Sequence, residues 1–202
     1  FLAQYPDLTL SLVVPREDGP AASLASYQLE VLRDKNRELT RRLSELYANA
    51  QDNERLTIRT HQLSLALMRA STAADTVRAM VACLSEDFQG DAVRVVLFNA
   101  VEGLTPDWLQ IISARDKRLV PFRDCLAASE PICGRLNPDK MPLLFGEEHA
   151  NAQSVALIPM PAVGLIAVGS SDGNRFFPGM GTLFLRLMGE TFVAAMARFA
   201  AH

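Results

Sequence analysis

The residue types best suited to nucleophilic, redox or metal chemistry in this chain are three cysteines and three histidines. Cys83 falls beside the apolar face of a predicted helix, and Cys125 shares an apolar face with Phe122 and Leu126. Both positions suit a cysteine that acts as a small buried hydrophobe. Cys133 differs, because it precedes Gly134 in a stretch with no regular period, with Arg135 as the neighbouring cation. An exposed thiol there, with a lowered pKa, would sense oxidants, since the thiolate is the reactive form. His61, His149 and His202 are far apart, and no pair is spaced C-x-x-C or H-x-x-x-H, so the sequence forms no zinc ligand set. The run Glu147-Glu148-His149 reads as a solvated loop. Gly164, Gly169 and Gly173 fit neither a P-loop nor a dinucleotide fingerprint. The expectation is a chain with no catalytic, cofactor-binding or metal residues, and therefore not an enzyme.

Composition points the same way. Of 202 residues, 49% are hydrophobic and 21% charged, which is globular usage and excludes wholesale disorder. A net charge of -3 exerts no overall pull on nucleic acid or anionic membrane. The cysteines are too few and too irregularly spaced for a secreted disulfide framework, so a reducing cytoplasm is expected. No signal peptide is visible, and a chain opening at Phe1 reads as a fragment of something longer. Residues 150–171 are uncharged and long enough to span a bilayer, but Pro159, Pro161 and Gly164 suit two strands and a turn better. No membrane span is expected.

The elements that must position these side chains begin with a long helix. Residues 1–20 contain Pro6, Pro15 and Gly19 and read as an irregular lead-in. Leu29, Leu32, Asn36, Leu39, Leu43, Leu46 and Ala50 then alternate spacings of three and four over about three heptads. Leucine at d with one Asn at a favours a parallel two-stranded coiled coil, in which Asn36 meets its twin. The e and g residues, among them Arg33, Lys35, Thr40 and Arg42, offer few attractive pairs. Basic residues along this helix are offset by Glu30, Asp34, Glu38 and Glu45, so a mixed-charge solvated face is expected rather than a nucleic-acid interface.

The pattern persists through Leu56, Leu63 and Leu67 until residues 71–74 interrupt it. Thr72 with Asp75 three residues on has the form of a capping box, so a new helix starts there and ends at Gly90. Strands are predicted over 92–99 and 108–114, and a short helix over 121–129. Residues 131–153 have no clear period. Strands over 154–160 and 163–170 are almost unbroken apolar runs, the mark of central strands. A wide-faced apolar helix over 180–199 ends the chain. The division expected is 1–20, a dimerisation helix over 21–58, and a domain over 59–202.

Two stretches carry a resemblance. The first runs from Thr72-Ala73-Ala74-Asp75-Thr76-Val77 to Val93-Arg94-Val95-Val96-Leu97-Phe98. The second runs from Ser154-Val155-Ala156-Leu157-Ile158-Pro159-Met160 through Val163-Gly164-Leu165-Ile166-Ala167-Val168-Gly169-Ser170 to Arg175-Phe176-Phe177. Together they resemble the GAF domain family, related to PAS domains. More narrowly, Phe1-Leu2, Pro6-Asp7-Leu8, Leu32-Arg33-Asp34-Lys35-Asn36, Pro131-Ile132-Cys133-Gly134 and Leu144-Phe145-Gly146 suit an uncharacterised bacterial family. That family, a domain of unknown function, joins an N-terminal helical segment to a GAF domain.

The resemblance implies an α+β fold, a GAF/PAS-like antiparallel sheet flanked by helices behind the long N-terminal helix. It also implies a ligand cavity between the sheet and the 122–145 segment, with Phe122, Cys133, Phe145 and Ser154 as candidate lining. Free methionine sulfoxide reductases share the GAF fold, but the stretch matching their catalytic cysteine, residues 147–154, contains none here. The cyclic-nucleotide signature of some GAF domains is missing, and Cys133 with His149 does not form a tetrapyrrole attachment pair. The function expected is a non-catalytic, homodimeric sensory or scaffolding module. Its cavity either binds a small molecule or has been retired, and it acts through protein contacts. The alternative is a thiol-based redox sensor or residual redox enzyme centred on Cys133.

Overall fold

A computed structural model describes residues 20–86, 91–146 and 152–199, with the side chains of 20–25 and of Pro138 left aside. The lead-in before Pro20, the expected helix stop at Gly90, Glu147-Glu148-His149 and His202 lie outside the described residues. The chain divides into two compact units, 1–54 and 55–202, a little before the division expected after residue 58.

Helix α1 (Pro20–Arg69) contributes to both units. In the first unit its described surface is largely polar apart from the leucine stripe, Tyr27 and Tyr47. Arg37 pairs with Asp34 at 3.5 Å, Arg41 with Glu45 at 2.7 Å, and Arg42 with Glu38. Such pairs, three or four residues apart, each stabilise an exposed helix by about 0.2–0.5 kcal/mol. In the second unit the last turns of α1 bury Leu63 and Leu67.

What stops α1 is the Ser71-Thr72 step. Thr72 accepts the amide of Asp75 at 3.1 Å and donates its hydroxyl to the Asp75 carboxylate at 2.7 Å, which opens helix α2 (Ala73–Glu86). A carboxylate in the first turn also suits the positive end of the helix dipole. The carbonyls left over at the end of α1 are met from the far end of the chain. The Arg198 guanidinium donates to the carbonyls of Leu67 at 2.8 Å, Met68 at 3.0 Å and Ala70 at 3.3 Å. A helix end leaves four carbonyls without partners, and Arg198 takes up this need.

The sheet has five strands: β1 (Ala92–Leu97), β2 (Leu109–Ile111), β3 (Ile132–Gly134), β4 (Ser154–Met160) and β5 (Gly164–Ser170), in the order β2-β1-β5-β4-β3. Every residue of β4 and β5 is buried, as their unbroken apolar runs require of central strands covered on both faces. One face carries α1, α2 and helix α5 (Leu183–Ala197), whose Leu67, Met80 and Phe192 pack on Val95, Ile158 and Ile166. The other carries a 3-10 turn at Lys117–Phe122, helix α3 (Arg123–Ala128) and helix α4 (Met141–Phe145), with Phe122, Leu144 and Phe145 on Val155, Leu157 and Leu165. Gly189 lets α5 lie close against the sheet, since a Cβ there would come within 2.9 Å of Ile158.

The fold is α+β, a long helix before a sheet flanked by helices, as expected; the sheet is mixed, with one pairing that departs from the antiparallel pattern. β1–β5, β5–β4 and β4–β3 are antiparallel, but β1 and β2 run parallel, with Val95 opposite Leu109 and Leu97 opposite Ile111. Residues 98–108 form a crossover rather than a hairpin. Gly103, at φ 73°, turns the chain, and Leu104 anchors the loop in the core, so β2 re-enters from the same end as β1. β3 lies in the segment that showed no period, because a three-residue strand is too short to display one.

Candidate functional site

The leucine stripe of α1 is in water. Leu29, Leu32, Leu39, Leu43 and Leu46 are between 49% and 70% exposed, and Asn36 is exposed among them. Thr40 donates its hydroxyl to the Asn36 carbonyl at 2.9 Å and approaches Asn36 Oδ1 at 3.4 Å. The side-chain amide nitrogen of Asn36 has no partner among the described residues. The register that places Leu32, Leu39 and Leu46 at d also places Thr60 and Leu67 at d. Those two are buried in the second unit, with Thr60 satisfied by the Leu56 carbonyl at 2.8 Å.

The four residues expected to line one pocket are divided by the sheet. Phe122 and Phe145 come together in the core beneath α3 and α4, where the Phe145 ring covers Gly169 at a distance of only 3.0 Å from a Cβ there. Cys133 and Ser154 fall on the opposite face. Cys133 sits opposite Ala156 and shares its core with α5. Ser154 is two residues from Ala156 on the same strand, and alternate residues of a strand share a face. This corrects the expected grouping, because strand parity cannot place all four side chains in one cavity. Ser154 is a structural hydroxyl: it donates to the Asp172 carbonyl at 2.5 Å and accepts the Phe176 amide at 3.3 Å.

Cys133 is buried, and that burial raises its thiol to about 11, the reverse of what a reactive cysteine needs. Cys125 is also pushed up by burial, opposed weakly by Lys140. Neither Cys125 nor Cys133 is in a disulfide. Among the described residues no group of three or more His, Cys, Asp or Glu is placed to hold a metal ion. No described helix is long and apolar enough to cross a membrane.

A polar cluster unforeseen from the sequence closes one end of the sheet. Asp91 accepts the Ser171 amide at 2.5 Å, the Ser171 hydroxyl at 2.7 Å and the Ser170 hydroxyl at 3.3 Å. These bonds, the Ser171 amide foremost, hold its carboxyl below the ordinary 3.8. Arg118 holds Asp116 lower still, at about 2, by a side-chain bond and a backbone bond. Asp91 ties the start of β1 to the end of β5, and Asp116 caps the turn that begins at Lys117.

A cavity of about 1120 Å³ opens at the start of α2 beside the end of β1, the β4–β5 turn and the end of α5. A smaller one of about 320 Å³ lies beside Pro159, Gly189 and Val193. Neither is lined by Phe122, Cys133, Phe145 or Ser154. The walls of the larger cavity come from segments 71–78, 97–103, 161–163 and 193–199, which are remote in sequence, and no motif marks it.

No curated protein matches the chain. A family model described as "Protein of unknown function, DUF484" matches residues 1–201, and the chain belongs to that family.

Proposed function

We propose that this protein is a non-catalytic, homodimeric contact module, GAF-like in its second unit, that pairs through the leucine stripe of α1. The observation that carries the reading is the exposure of Leu29, Leu32, Leu39, Leu43 and Leu46 in one heptad register around Asn36. Moving a leucine from such exposure into a packed seam contributes about 1–2 kcal/mol, so five on each of two helices supply ample drive for association. Asn36 favours a parallel, in-register dimer, because its amide then meets the same amide across the seam. The order helix, two strands, a helical segment that holds the short β3, two strands, helix supports the GAF-like reading, while the parallel β1–β2 pairing departs from it. The free thiols of Cys125 and Cys133 accord with a reducing compartment. Burial of Cys133 speaks against the thiol-sensor alternative.

Sedimentation equilibrium of the intact chain against Leu39→Glu with Leu46→Glu tests the dimer. The intact chain is expected to be dimeric at tens of micromolar. The double variant is expected to be monomeric, with an unchanged near-ultraviolet spectrum from its folded second unit. A monomeric intact chain, or a double variant that stays dimeric, overturns the seam.

A further inference from the structure

We infer that the cavity at the start of α2 is a small-molecule site, suited to a compound with an apolar body and a cationic or hydrogen-bond-donating head. The inference goes beyond the dimer reading and is independent of the leucine seam. At about 1120 Å³ the cavity has room for a ligand of ordinary metabolite size. Its apolar wall is built by Val163, Val193, Met196 and Phe199, side chains from the β4–β5 turn and the end of α5.

The polar rim decides the class of head group. The Arg78 guanidinium is already committed, donating to the Asp75 carboxylate at 3.1 Å and to the Gly103 carbonyl at 2.9 Å. Asp75 is likewise committed, to Arg78 and to Thr72. Glu102 is then the lining charge without a partner among the described residues, and the amide of Asn99 is also unpartnered. A carboxylate and an amide lining the same cavity as an apolar wall complement a donor or a cation and disfavour an anion.

The occupant would also touch Thr72 and Met196, which flank the contact of Arg198 with the carbonyls of Leu67, Met68 and Ala70. Occupancy therefore bears on the tie between the end of α5 and the end of α1.

The test uses three probes that share a phenylethyl body, 2-phenylethylamine, 2-phenylethanol and 3-phenylpropionate, titrated into the intact chain at pH 7 and followed by amide chemical shifts. The amine is expected to give saturable shifts confined to residues 71–78, 99–103, 161–163 and 193–199, with affinity about tenfold above the carboxylate. Glu102→Gln, an exposed change that leaves the fold intact, should bring the amine and the alcohol to equal affinity. Val193→Trp, which fills the wall, should abolish all three responses. The site is overturned if no probe saturates by tens of millimolar, if the shifts map elsewhere, or if Glu102→Gln leaves the amine preference unchanged. It is equally overturned by a folded Val193→Trp that still binds. Should Val193→Trp fail to fold, Glu102→Gln and the shift map decide alone. The seam variant Leu39→Glu with Leu46→Glu should bind as the parent does, so failure of the dimer and failure of the site are read separately.

Discussion

Gly164 is the position where one added methyl group should do most damage. It opens β5 opposite Leu97, with Val96 opposite Leu165 on the next rung. A Cβ built there lies 1.9 Å from the Val96 carbonyl oxygen, 2.9 Å from the Val96 carbonyl carbon and 3.0 Å from Cα of Leu97. All three atoms are backbone, so no side chain can rotate away. Even a close carbon–oxygen contact needs about 3.3 Å, so β1 and β5 would have to part by more than about 1 Å at this point. The central pairing of the sheet would lose one or two ladder hydrogen bonds at about 1 kcal/mol each, on top of about 1–3 kcal/mol of overpacking. Gly164→Ala should therefore destabilise by about 2–5 kcal/mol, lowering Tm by roughly 10 °C for a domain of this size. Gly103→Ala is the control: its φ is 73° but nothing lies within 4 Å of a Cβ. It should cost only the left-handed torsion, about 1 kcal/mol. Urea unfolding of both variants, read by far-ultraviolet circular dichroism, gives the two numbers. A Gly164→Ala protein within 1 kcal/mol of the parent, or a Gly103→Ala protein that loses more, would refute the contact argument.

Arg198→Met keeps the aliphatic stem and removes the donors to Leu67, Met68 and Ala70. It should cost about 1–2 kcal/mol and speed hydrogen exchange of amides in the last turn of α1, measured by mass spectrometry. Cys133, raised from 9.0 to about 11, holds about 100-fold less thiolate at neutral pH than an ordinary thiol. Its alkylation by iodoacetamide should be slower by at least that factor, and rapid modification of the folded protein would restore the redox reading. The Asp91 carboxyl is lowered in the fold, so its contribution to stability is complete above its unfolded value and is lost as pH falls through its lower folded value. Asp91→Asn should accordingly destabilise at pH 7, with the difference from the parent shrinking below about pH 4, as thermal denaturation across pH 2–7 would show.

The sequence alone determined what depends on short-range period and on local capping. The heptad of α1, the capping box at Thr72 and Asp75, and the apolar runs of β4 and β5 all act within a few residues, so each is visible where it occurs. Composition and cysteine spacing likewise bounded the chemistry without any structure. Tertiary structure alone decided the direction of β2, because a crossover and a hairpin can share the same loop residues; here the loop buries Leu104 in the core and β2 runs parallel to β1. It also decided the sides of the sheet. β3 is too short to show a period, so only its pairing with β4 shows that Cys133 faces α5 and not Phe122. The Arg198 contact with α1 and the cavity beside it join residues some 130 positions apart. Burial, partners and cavities are properties of such long-range meetings, and a linear pattern carries no record of them.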